Sequence, residues 1–301
     1  MAKSKKTTTK KSVSKKTTKT KSNPIPKDKT KKKVPTKKPI SKTNSVDKLQ
    51  PKSKAFFGWT PDVPDNRDMM FSLPKKMKKL PTKVDLRTDQ IAIFDQGSLG
   101  SCTANAIAVA FTFSLIKQND PLFVPSRLFV YYNTRLLEGN VDKDSGATLR
   151  NTVKSINKVG TCEEKYWPYE IEKFKNKPTK NSYTDADGNK AVKYERLTRS
   201  LYDFKSCLAS GFPFVGGFAV YESFESREVA KTGKMSMPEP KERSLGGHAI
   251  IVMGYDDEIE CFIVRNSWGI KWGDKGHFYM PYEYLLNRNL SDDFWVIQKV
   301  S

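Results

Sequence analysis

Histidine and cysteine are both scarce in this chain of 301 residues, which has only His248 and His277, and Cys102, Cys162, Cys207 and Cys261. No two cysteines form a CxxC pair and neither histidine has a second one beside it, so a zinc site built from such pairs is not expected. Four widely spaced cysteines also fall short of a disulfide scaffold, and a reducing interior is the simpler home. No metal or organic cofactor is implied. Nowhere does the sequence offer about 18 consecutive apolar residues for a membrane span, nor an N-terminal apolar core of the 7–15 residues typical of a secretory signal. The first 54 residues contain no aromatic side chain and only two acids, Asp28 and Asp47, against 20 lysines. Such a stretch cannot bury enough apolar surface to offset the entropy of ordering it, and is expected to be a disordered basic tail.

The tail accounts for most of the formal charge of +21, and the remaining 34 basic and 31 acidic residues leave the rest of the chain near neutral. A nucleic-acid protein is therefore not implied by charge alone. The tail could make only weak electrostatic contact with nucleic acid or another anionic assembly, because it lacks aromatic residues for stacking.

Composition changes abruptly at residue 55. Residues 55–80 carry Phe56, Phe57, Trp59, Met69, Met70 and Phe71 among several prolines, which forbid a long helix and predict an irregular strap laid on an apolar surface. Residues 81–301 read as one compact domain. Its first half has helical spacing: residues 103–117 are apolar nearly all round, as in a central buried helix, 126–138 start at Ser126 as N-cap, and 147–159 continue the pattern. The second half reads as strands at 213–221, 247–255, 261–266, 276–280 and 294–299. Helices followed by strands predict an α+β architecture in two lobes.

Cys102 follows Gly-Ser and opens the central helix, where the helix dipole and free N–H groups favour a thiolate. Taken alone it could equally be a buried small hydrophobe. The surrounding segment DQGSLGSCTANA (95–106) resembles the nucleophile segment of papain-like cysteine peptidases, in which a Gln precedes the Cys by six residues, as Gln96 precedes Cys102. GGHAIIVMGYD (246–256) resembles the family's histidine strand and RNSWGIKWGDKGHFYM (265–280) its asparagine loop. His248 and Asn266 lie 146 and 164 residues after Cys102, against about 130–150 for the family pattern. Two positions depart from that pattern: Leu99 stands where the family has a disulfide cysteine, and Thr103 where it has an aromatic residue. Both departures match bacterial and large-virus members with a CTANA-type segment, which implies an intracellular or virus-packaged setting.

The resemblance implies a papain-like fold, with a helical left lobe carrying the nucleophile helix, an antiparallel barrel-like right lobe, and a cleft between them. It implies Cys102 as nucleophile, His248 as its base, Asn266 as the group that orients the imidazole, and Gln96 with the Cys102 amide as oxyanion donors. Trp268 is expected to shield the His–Asn hydrogen bond and to border the substrate. Gly146, Ala147, Thr148, Gly217 and Ala249 are the further expected substrate-binding residues, with small walls that leave a roomy pocket. YWPYE (166–170) resembles a structural landmark, and His277 is expected to be non-catalytic. The implied partner is a protein or peptide substrate, cleaved internally by a monomer, with 55–80 acting as a short pro-segment. Three alternatives stay open: an inactive scaffold of the same fold, a binding protein acting through its tail, and an isopeptidase or acyl transferase using the same three residues.

Overall fold

The computed structural model describes residues 57–72 and 78–301. The basic tail and residues 55, 56 and 73–77 of the expected strap lie outside the described residues. The elements run β1 (Lys83–Asp85), α1 (Cys102–Gln118), α2 (Arg127–Leu137), α3 (Leu149–Lys158), α4 (Lys180–Ala186), β2 (Ala191–Arg196), α5 (Leu201–Ala209), β3 (Phe214–Tyr221), α6 (Arg227–Thr232), β4 (Ser244–Asp256), β5 (Cys261–Arg265), β6 (His277–Pro281), α7 (Tyr282–Leu286) and β7 (Ser291–Val300). Helices lead and strands follow, as the spacing predicts. Short elements at β1, α4, β2, α5, α6 and α7 add to the expected ones.

The strands form one antiparallel sheet in the order β2-β7-β3-β4-β5-β6, with β1 paired to β4. This sheet is the strand lobe that the resemblance implies. β4 is the axis of the design. Its residues up to Val252 pair with β3, its last three with β1, and β5 runs along its other edge. Residues of β4 point alternately to opposite sides until an irregularity between Val252 and Gly254 shifts the alternation: Ala249, Ile251 and Met253 join the core formed with α1–α3, while Ile250, Val252 and Tyr255 join a second, phenylalanine-rich core. Both faces are covered, which is why GGHAIIVMGY reads as a continuous apolar run rather than an alternating one.

Helix α1 sits where both lobes meet and is buried along most of its length. Two of its polar residues turn their hydroxyls onto the helix backbone, Thr112 to the Ala108 carbonyl and Ser114 to the Ala110 carbonyl. Ser114 also donates to Ile297 of β7, tying the helix to the sheet at 3.0 Å. Its C-terminus closes on Asn119 in a left-handed conformation with φ 59°. Ser126 caps α2 by accepting from the Phe129 amide, and Thr148 caps α3 by accepting from the Asn151 amide. The first residue of α1 meets β4 through the Ala249 amide, which donates to the Cys102 sulfur.

Candidate active site

Cys102 is the first residue of α1 and is wholly buried. The residue before it, Ser101, leaves the helix N-terminus without a side-chain cap, because its hydroxyl is engaged with Tyr169 and Asn105. The nearby backbone amides of Cys102 and Thr103 favour the thiolate. Across the junction, the Ala249 amide donates to Sγ at 3.3 Å, which sets the sulfur one residue along β4 from His248. On the far side of the imidazole, Nε2 meets Asn266 Oδ1 at 2.8 Å. Asn266 follows β5, and its side-chain oxygen also accepts from the Ser267 amide at 2.8 Å, which fixes the plane of the amide. Among the described residues no hydrogen bond reaches His248 Nδ1. A thiol, an imidazole and an amide drawn from α1, β4 and the turn after β5 thus share one buried site.

Rings enclose the imidazole. Trp268 lies over it with centroids 5.0 Å apart and planes 31° apart, Phe218 meets it edge-on at 5.7 Å, and Phe57 at 6.3 Å. Trp268 in turn packs on Trp272 and Phe224, so it acts as a wall of the His–Asn hydrogen bond. Excluding water there strengthens the bond. Gln96 is buried; its side-chain amide donates to Leu99 O at 2.9 Å and its oxygen accepts from the Ser267 hydroxyl at 2.6 Å. Leu99 itself is buried, all four cysteines are free, and no disulfide takes the place of the family's missing one.

The strap passes directly over this constellation. Gly58 lies close enough to the Cys102 sulfur for its backbone amide to favour the thiolate. The Gly58 carbonyl accepts from the Ala147 amide at 2.7 Å, the Thr60 amide donates to Ala147 O at 3.2 Å, and the Trp59 amide donates to Gly247 O at 2.9 Å. Position 58 has no room for a side chain: a Cβ there would lie 1.8 Å from the Gly100 carbonyl oxygen. Opposite it, a Cβ on Gly146 would stand 2.2 Å from the Gly58 oxygen. Of the expected substrate-binding residues, Gly146, Ala147, Gly217 and Ala249 line this passage. Thr148 does not, since its hydroxyl is committed to the α3 cap and to Glu138 at 2.9 Å. The pocket expected to be roomy is filled by Trp59.

Covered in this way, the thiol and the imidazole are both pushed toward their neutral forms. Burial lifts the Cys102 thiol to about 11 despite the four backbone amides aimed at it, and burial lowers His248 to about 4, only partly offset by Asn266. A thiolate–imidazolium pair is thus disfavoured while the strap is in place. His277 lies in β6, buried, with Nδ1 at 3.2 Å from the Lys275 carbonyl, and takes no part in the site.

A cluster that sequence reasoning missed holds the strap down. Arg150 grips Asp68 at 2.6 Å, and Arg196 reaches Asp62, Asp68, Asp292 and Asp293. Asp62 accepts from the Arg150 amide and the Trp295 indole, and its own amide donates to Asp293 at 2.7 Å. Burial and then the neighbouring Asp293 carboxylate raise Asp62 to about 6, and burial raises Asp293 as well; the arginines do not fully compensate. Farther along, Met69 and Phe71 exchange backbone hydrogen bonds with Arg196 at 2.7 and 2.8 Å.

Comparison with known proteins agrees with this geometry. Residues 80–289 match the family model described as papain family cysteine protease. An uncharacterized peptidase C1-like protein of Acanthamoeba polyphaga mimivirus is 44% identical over 271 residues, covering 81% of this chain and 87% of the relative. The crystal structure of xylellain, a cysteine protease from Xylella fastidiosa, superposes with a TM-score of 0.77 at 41% identity, covering 84% of this chain and 99% of that one. Procathepsin B S9 from Trypanosoma congolense shares the fold at a TM-score of 0.63 and 17% identity, covering 77% and 83% of the two chains. Among the described residues no helix is long and apolar enough to cross a membrane.

Proposed function

We propose that this chain, which belongs to the papain family of cysteine proteases, is an endopeptidase made as a precursor, with Cys102, His248, Asn266 and Gln96 as its working residues. The observation that carries the reading is the meeting of three distant residues: Ala249, next to His248, holds the Cys102 sulfur at 3.3 Å while Asn266 holds the imidazole at 2.8 Å. Once the cleft is open to water, His248 takes the Cys102 proton and the thiolate adds to the substrate carbonyl. The Gln96 amide and the Cys102 N–H then stabilise the oxyanion. As the C–N bond breaks, the imidazolium passes its proton to the leaving amine, and a thioester remains on Cys102. Water, deprotonated by His248, adds to the thioester and releases the acid, returning the thiol.

Internal rather than terminal cleavage is supported by the histidine count. Only His248 and His277 exist, and His277 is buried in β6, so no histidine-bearing loop covers the cleft to hold a chain terminus. The precursor reading is supported by the strap, whose backbone takes hydrogen bonds that an extended substrate would need. The basic tail supports a weak electrostatic contact with an anionic assembly, and the viral relative fits a setting inside cells or particles.

Covalent labelling with an epoxide inhibitor selective for papain-like enzymes, followed by mass spectrometry, tests the assignment. Modification of Cys102, abolished in Cys102→Ala, is expected. Labelling confined to Cys162, Cys207 or Cys261 would overturn it.

A further inference from the structure

The strap shows which side chain the cleft accepts. Gly58 lies on the nucleophile, and the next residue, Trp59, drops its indole into a pocket beside it, leaving that residue only 9% exposed. Gly217 and Gly247 form the walls, since a Cβ at Gly217 would lie 2.0 Å from the indole and one at Gly247 would lie 2.4 Å from the Trp59 carbonyl oxygen. At the end of the pocket the indole Nε1–H donates to Asp293 Oδ2 at 3.1 Å, and this carboxylate belongs to a residue only 1% exposed. A buried acceptor aimed at the tip of a large aromatic side chain is a chemical filter, because a ring without a donor leaves it unpaired.

We propose that this pocket is a substrate side-chain pocket selective for an indole, with Asp293 as its specificity-determining residue, an inference that rests on the endopeptidase reading. A basic side chain is the rival occupant, and the local charge disfavours it. Asp293 is already paired with Arg196 at 2.9 Å. When the strap leaves it takes Asp62 and Asp68 with it, so Arg150, Arg196 and Arg199 then face Asp292 and Asp293 alone. With three arginines around two carboxylates the site carries an excess of positive charge, which favours a neutral N–H donor over a further cation. No ring lacking a donor satisfies Asp293, and no cation gains a net charge there.

The test uses the full chain carrying Gly58→Ala, which lifts the strap, together with Trp59→Ala, which takes the indole out of the pocket. Fluorogenic peptides differ at a single residue, either Trp, β-(3-benzothienyl)alanine, Phe or Arg, placed in turn at each of the three positions before the cleaved amide. The benzothienyl ring has the shape of indole without its N–H, so the comparison reads the hydrogen bond without altering the protein. At one position Trp is expected to exceed both benzothienylalanine and Arg in kcat/KM by about tenfold or more, the scale of a hydrogen bond to a charged group. Asp293→Leu is expected to bring the ratio of Trp to benzothienylalanine close to one. Equal rates for Trp and its isostere at all three positions, or a preference for Arg, overturn the pocket assignment while leaving the peptidase reading intact. Failure of every peptide together with unlabelled Cys102 overturns the peptidase reading, and this inference with it.

Discussion

At the scale of single residues the site is a set of short hydrogen bonds that leaves His248 Nδ1 without a partner among the described residues. Gln96 belongs to the set: Ser267 fixes its oxygen, so the amide nitrogen cannot rotate away from the nucleophile loop. Removing it with Gln96→Ala is expected to lower kcat by about 10²–10³, the scale of one oxyanion donor, with KM little changed. A drop in binding alone, with turnover preserved, would assign Gln96 to substrate contact instead. The Cys, His, Asn and Gln positions were legible in the sequence because each sits in a local motif. Asp293 and Asp62 were not legible, because a buried carboxylate gives no local signal when its partners lie more than 80 residues away. The glycine at position 58 was equally silent, although a Gly-Trp step amid prolines is a cue that close backbone approach would explain.

Among elements, the strap is the one that the composition marked and the periodicity could not describe. Its apolar residues predicted that it lies on a surface; that the surface is the cleft follows only from tertiary pairing with Ala147 and Gly247. The helices and strands of the catalytic half were legible because burial imposes their period, whereas the short α4 and the half-exposed β2 carry too few apolar residues to announce themselves. Two predictions belong here. Gly58→Ala places a Cβ 1.8 Å from the Gly100 oxygen, so the strap must lift, and hydrolysis of a small peptide is expected to rise several-fold over the unaltered chain. An unchanged rate would mean that the strap does not restrict access. The second prediction concerns pH. Asp62 has a docked value of about 6 against an ordinary 3.8, so docking binds a proton more tightly than release does. Its contribution to docking is complete below about pH 4 and is lost as pH rises through about 6. Hydrogen exchange at the Trp59 and Thr60 amides in Cys102→Ala, corrected for intrinsic rates, should therefore show protection falling between pH 4 and 7. Asp62→Asn should remove that slope, and protection that grows with pH would contradict the assignment.

For the whole molecule, two cores flank one sheet, and the reacting groups lie where they adjoin, at the start of α1 and along β4. With the cleft covered, Cys102 and His248 are both held neutral, at about 11 and about 4. A chain starting at Pro81 is expected to hydrolyse a small peptide faster than the full chain and to react with iodoacetamide at a lower pH, since water returns to both groups. Equal rates, with both chains soluble, would remove the regulatory role of residues 55–80.

Gly58 and Cys102 belong to one polypeptide, so the plug over the sulfur is intramolecular. Its local concentration is set by the connecting segment and lies in the millimolar range typical of short tethers. Dilution does not lift it, and a free peptide must outcompete that local concentration. Scission of the connection is expected to turn the same contact into an ordinary bimolecular one. On the precursor reading the block is held by connectivity rather than by affinity alone, and a single cut is expected to release it.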